Sequence, residues 1–216
     1  MLSSTRCASL LNRRRTRRPA SVAGVLLCMA QAVFTVQAQD ANSRGANLAG
    51  AVTTKPADDD QRPELTRLFP QYQLMGKGRL NVWGFQVYDA RLWAAPGYSK
   101  DNAAAQPFAL ELAYLRGFDN QDVAERSINE IRRFAPVSDV QAKFWMEEMV
   151  RVLPDVKKGD KLMGLNQPGA GVQFWLNGKL LGDIRDAEFA RLFFGIWLSP
   201  KTSEPKLRSA LLAGAQ

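Results

Sequence analysis

Two dipeptides, Trp83-Gly84 and Asn177-Gly178, each sit between runs of alternating apolar and polar residues. A two-residue connection can only join antiparallel strands, because a parallel pair needs a crossover of a dozen residues or more. Asn-Gly is the strongest such signal, since both of its residues accept the positive φ that the mirror-image hairpin turn requires. Upstream, Tyr72, Leu74, Gly76, Gly78, Leu80 and Val82 share one parity of a strand over 72–83. The glycines in it predict a bent or bulged strand that something approaches closely. A second strand over 85–95 ends at the turn Pro96-Gly97, and a third over 108–115 alternates Phe108, Leu110, Leu112 and Tyr114 against Ala109, Glu111 and Ala113. Three more strands follow at 161–165, 171–176 and 179–184.

Between these two groups the apolar period changes. Asp119 and Ser138 are placed to cap helices running to about Phe134 and Leu153, with Pro136 and Pro154 just beyond them. In the second helix Val140, Phe144, Trp145, Met149 and Val152 form a wide stripe expected to pack against something large. Asp186 opens a helix through Phe189, Phe193 and Ile196, and Ser203 opens a last short one through Leu207, Leu211 and Leu212. Three strands, two helices, three strands and two helices, joined by hairpins, make an α+β fold with an antiparallel sheet.

The first 38 residues have the three parts of a removable secretion signal. A basic stretch (Arg13, Arg14, Arg15, Arg17, Arg18) precedes the uncharged run from Ser21 to Val36, and Val36-Gln37-Ala38 offers small residues for cleavage before Gln39. The apolar run is 16 residues, short of the ~20 that span a bilayer as a helix, so no permanent membrane anchor is expected. Residues 39–63, polar and carrying Asp58-Asp59-Asp60, read as a disordered linker, and 64–216 as one domain. Removing the signal takes Lys plus Arg from 29 to 23 against 21 acidic residues, so the formal charge falls from +8 to +2. That balance gives no support to a nucleic-acid partner. Both cysteines, Cys7 and Cys28, leave with the signal, so a mature domain has no disulfide and depends on its core. The chain has no histidine, which removes the commonest general base and metal ligand together. No cofactor, metal site or catalytic set is predicted, and nothing specifies an oligomeric state.

A two-residue loop at Trp83-Gly84 would place Arg79 opposite Tyr88, on one face with Ala90, Leu92 and Ala94. A guanidinium fork and a phenol at the mouth of an apolar slot suit a carboxylate with an apolar tail. The plainer alternative is a solvated arginine and a core tyrosine. On the opposite face Asp89 and Arg91 read as a structural pair, Lys157-Lys158 as a solvated turn, and the five tryptophans as core or pocket wall.

Several segments, in one order, resemble the bacterial chalcone-isomerase-like proteins, relatives of plant chalcone isomerase and of plastid fatty-acid-binding proteins. They are Gly76 to Arg79, Val87 to Ala94, Val156 to Asp160, Phe174 to Gly178, Ile184 to Phe189 and Ile196-Trp197-Leu198, and the likeness covers about 65–213. It implies an open-faced β-sandwich whose antiparallel sheet is covered by helices, with a ligand cleft between the layers. It also implies an arginine and a hydroxyl on successive strands holding the ligand's oxygens, matched here by Arg79 and Tyr88. The isomerases typically carry threonine at the hydroxyl position, whereas the fatty-acid-binding relatives carry tyrosine. The expectation is therefore an exported, periplasmic, non-catalytic binding protein for a small amphipathic carboxylate, such as a fatty acid or related lipid. The alternatives are an intramolecular lyase of the chalcone isomerase type, with Arg79 stabilising an enolate, and an envelope interaction module without a ligand.

Overall fold

A computed structural model describes residues 62–216; the expected signal and all but the last two residues of the expected linker lie outside them. The described elements are α1 (Pro63–Leu68), β1 (Gln73–Val82), β2 (Phe85–Ala94), a 3₁₀ helix (Lys100–Ala105), β3 (Phe108–Tyr114), α2 (Asn120–Arg132) and α3 (Asp139–Val152). They continue through β4 (Lys161–Gln167), β5 (Gly171–Leu176), β6 (Lys179–Ile184), α4 (Ala187–Leu198) and α5 (Pro205–Leu211). The six strands form one antiparallel sheet in the order β1-β2-β3-β4-β5-β6. The α+β class and the helix-covered antiparallel sheet read from the sequence are what the structure has. The short α1 and the 3₁₀ helix were not anticipated, and neither is long enough to show a helical period.

One face of the sheet carries the main core. Ala90, Leu92 and Ala94 of β2, Phe108, Leu110, Leu112 and Tyr114 of β3 and Phe174 of β5 pack there against α2 to α5. Helix α4 is apolar on nearly every side because it is enclosed: Phe189, Phe193, Phe194 and Trp197 are all buried. Its N-cap is Asp186, which accepts from the Phe189 N–H at 2.9 Å and from the Trp145 indole N–H at 2.8 Å, tying α4 to α3. Helix α3 begins on Ser138, whose hydroxyl accepts from Gln141 N–H at 3.2 Å. Asp119 precedes α2 as expected but makes no side-chain cap; Asp155 accepts from the Asn120 N–H instead. The stripe expected on α3 is narrower than its sequence implies. Trp145, Met149 and Val152 are buried, whereas Val140 and Phe144 face solvent. The period groups them with the stripe, but α2, α4 and β6 reach only part of the helix's circumference.

The other face is only partly covered. Leu65 of α1 joins Trp93, Ala109, Met163, Leu165 and Trp175 in a smaller cluster. Beside it Arg62 grips the buried Glu111 carboxylate through Nε and Nη2 and lies 5.1 Å over the Trp93 ring. Arg91 approaches the same carboxylate at 3.6 Å. A charge in so dry a place persists only when paired. Arg62 and Pro63 therefore belong to the fold and not to a linker. Arg91 pairs with Glu111 across the β2–β3 ladder instead of with Asp89, which faces Arg79.

The close approach predicted from the glycines of β1 is α5. A Cβ on Gly76 would lie 2.1 Å from the Ala210 carbonyl oxygen, and one on Gly78 would lie 2.8 Å from Leu207 Cδ1. A bulge between Leu74 and Gly76 bends the strand at that crossing.

Candidate functional site

The β1–β2 turn is the two-residue loop expected, with Trp83 at φ 49° and Gly84 at φ 83°. Val82 pairs with Phe85 and Asn81 with Gln86, but Leu80 then pairs with Tyr88, leaving Val87 as an extra residue. This bulge shifts the register by one, and a one-residue slip exchanges the faces of a strand. Arg79 consequently pairs with Asp89, not Tyr88. Its Nε and Nη2 donate to the two Asp89 carboxylate oxygens at 2.6 and 2.9 Å, with the arginine side chain 43% exposed. Leu80 and Val82 line the inner cavity while Arg79, of opposite parity, looks away from it. The expected convergence of Arg79 and Tyr88 on one headgroup is not present, and the plain reading of Arg79 as a solvated residue is the correct one. Asp89 and the hydrogen bonds to it hold the guanidinium pKa above its usual value.

Tyr88, in contrast, faces the interior and lines a cavity. Between the inner face of the sheet and helices α2 and α4 lies a cavity of about 370 Å³, within the ~300–1,000 Å³ of typical small-molecule sites. Its walls are mostly apolar. Leu80, Val87, Leu112 and Leu162 come from the sheet, Val123 from α2, and Phe193, Ile196 and Trp197 from α4. The bulge helps build it, because with Val87 inserted both Phe85 and Tyr88 reach the cavity despite their opposite parity. A second hollow of about 340 Å³ between α2 and α3 is edged by charged side chains and spanned by the Arg132–Asp139 ion pair at 2.6 Å, so it has no continuous apolar wall.

Polar groups in the main cavity are few. The Trp197 indole N–H donates to the Tyr88 hydroxyl oxygen at 2.9 Å, which leaves the phenol's own proton to point elsewhere. Burial pushes the Tyr88 phenol far above its ordinary pKa, with the Trp197 hydrogen bond opposing and Tyr114, Glu204 and Glu130 adding to the rise. Burial does the same to Tyr114, whose ring meets Tyr88 edge-on at 6.0 Å between centroids. Both are neutral donors at any physiological pH. On the wall Glu130 accepts from Ser203 at 2.8 Å and pairs with Arg126 at 2.7 Å. Towards the outer end Arg116 lies 5.1 Å over the Phe85 ring.

Residues 63–213 match the model of the chalcone isomerase-like family. The chain belongs to that family. An uncharacterized protein of Haemophilus influenzae is 31% identical over 145 residues, covering 67% of this chain and 69% of that one. Among solved structures, a fatty-acid binding protein of Arabidopsis thaliana superposes with a TM-score of 0.51 at 11% identity, covering 66% of this chain and 87% of its own. At that identity the likeness is one of fold. Of the other residues at the cavity, Trp197 was read from the sequence as core or pocket wall, Tyr114 as a strand residue and Ser203 as the start of a helix, whereas Arg116, Arg126 and Glu204 were not singled out. Trp197 meets Tyr88 across 109 positions, and no local spacing announces such a contact.

Proposed function

We propose that this protein is a non-catalytic carrier for a fatty acid or related lipid, exported to the periplasm after removal of the signal at residues 1–38. The observation that carries the reading is an apolar cavity with a neutral, buried phenol at its wall. The acyl chain fills the space between sheet and α4, and Tyr88, polarised by the Trp197 hydrogen bond, donates to a ligand oxygen. Positive charge comes from Arg126 and Arg116 on the cavity wall, since Arg79 is on the far side with Asp89. The fatty-acid binding protein of the same fold lends the reading its ligand class, and the basic, apolar and small-residue pattern of the N-terminus lends it export. A lyase in which Arg79 stabilises an enolate loses its residue to the register shift.

Mass spectrometry of the protein from its host reads both parts of the proposal. A chain starting near Gln39 that carries an acyl acid is the expected result. Tyr88→Phe removes one donated hydrogen bond and weakens retention about fivefold, the equivalent of ~1 kcal/mol. Arg79→Ala leaves retention unchanged. A lipid lost with Arg79 and kept with Tyr88→Phe would sink this assignment.

A further inference from the structure

The same molecule builds the same turn twice, with different residues. Asn177 and Gly178 sit at φ 51° and 78°, and Trp83 and Gly84 at φ 49° and 83°. Asparagine tolerates the left-handed region, whereas a bulky side chain there is a costly outlier. Core burial does not repay that cost, because Trp83 is 94% exposed. Its neighbour across the turn, Phe85, is 59% exposed, and both edge the mouth of the cavity. Apolar surface therefore runs without a break from the hairpin tip into the cavity.

The strand order brings cations to this same end of the sheet. Arg116 follows the end of β3 and lies over Phe85. Lys157 and Lys158 form the turn into β4, where the Gly159 N–H donates to the Tyr114 carbonyl, and Lys179 starts β6. All four are exposed. Of the acids at this end, Asp160 is held by Asn177 and by the Lys157 N–H, Asp155 by the Asn120 N–H, and Glu130 by Ser203 and Arg126; Glu204 also lines the cavity, Asp119 stands beside α2 and Glu64 near Gly178.

We propose that the Trp83-Gly84 tip is a docking element for an anionic lipid bilayer surface, through which ligand passes between membrane and cavity; this rests on the lipid-carrier reading. Trp83 and Phe85 enter the interfacial layer, where an aromatic ring can be apolar on one side and wet on the other. Arg116, Lys157, Lys158 and Lys179 meet the headgroups, and the cavity mouth then opens onto the acyl region and not onto water. A turn residue chosen against local strain and against burial is explained by a partner that buries it only on contact.

The decisive variant is Trp83→Asn, which gives this turn the dipeptide of its twin. Its melting temperature should equal or exceed that of the parent, while its partition onto phosphatidylcholine–phosphatidylglycerol vesicles should fall about tenfold, the effect of withdrawing one large aromatic side chain. Vesicles with brominated acyl chains should quench part of the parent's tryptophan fluorescence, and that part should be missing in Trp83→Asn. Lys157→Glu with Lys158→Glu should weaken association with anionic vesicles and slow transfer of a fluorescent fatty acid from them, leaving the protein's affinity for that acid in solution intact. Unchanged partition in Trp83→Asn, or a clear loss of its thermal stability, overturns the proposal. Affinity for the acid without vesicle association overturns docking alone. Vesicle association without affinity for the acid leaves docking standing and removes the carrier.

Discussion

At the turn into β4 the Asp160 carboxylate accepts from the Asn177 side chain at 3.0 Å and from the Lys157 N–H at 2.9 Å. Asn177 in turn accepts from the Lys161 N–H at 2.9 Å, so one carboxylate and one amide fasten the β3–β4 and β5–β6 connections together. These hydrogen bonds, the Asn177 one foremost, hold the Asp160 pKa below its ordinary 3.8. A carboxylate whose folded pKa is depressed stabilises the fold above its unfolded pKa and loses that contribution as pH falls through the folded value. Urea unfolding should therefore show stability declining below about pH 4, and Asp160→Asn should flatten that acid limb while lowering stability near neutrality. An acid limb identical in the variant would show that other groups carry it. Tyr88 gives the complementary case. Its phenol stays protonated across the working range, so any pH dependence of ligand binding near neutrality or below belongs to other groups.

Among the elements, β1 and α5 depend on each other most directly. Gly76 has the Ala210 and Leu211 backbone where a side chain would be, and the Gly214 N–H donates to the Met75 carbonyl at 2.8 Å as the chain leaves α5. Backbone cannot rotate out of the way as a side chain can, so Gly76→Ala must lift the helix. A loss of about 1–3 kcal/mol in denaturant unfolding is expected, with hydrogen exchange at the amides of 207–212 accelerated more than in β3. Equal acceleration in both would mean that α5 is not the element displaced. The bulge at Val87 works at the same scale. One inserted residue sends Arg79 to solvent and brings Phe85 and Tyr88 to the cavity together.

For the whole molecule, the sheet has two unequal faces, and the cavity belongs to the better covered one. Its walls come from β1, β2, β3, β4, α2 and α4, and under the proposed carrier function its volume of about 370 Å³ would limit the length of acyl chain bound. While the chain still fits, each added CH₂ buries about 0.8 kcal/mol of apolar surface, so affinity should rise roughly fourfold per carbon. It should then level off or fall once the cavity is full. A titration series of fatty acids of increasing length measures both, and a flat series would exclude the cavity as the acyl site. On the other face, the buried Arg62–Glu111–Arg91 group fixes the start of the domain against the sheet.

Sequence alone determined the α+β class, the antiparallel sheet, all six strands, four of the helices and the family. Each rests on local information: a period of two or 3.6, a turn dipeptide, a capping residue, or the order of short segments. The candidate cavity was only partly legible for the same reason. Tyr88 could be picked out by its strand and its family resemblance, but its partner could not. Counting back from a two-residue turn gives Arg79 only when the ladder is regular, and the bulge at Val87 is decided by how β2 packs between β1 and β3. The Trp197–Tyr88 contact, the Arg62–Glu111 pair and the exposure of Val140 and Phe144 likewise depend on which surfaces meet across the sheet and helices. Periodicity assigns a residue to a face; only tertiary packing decides what that face touches.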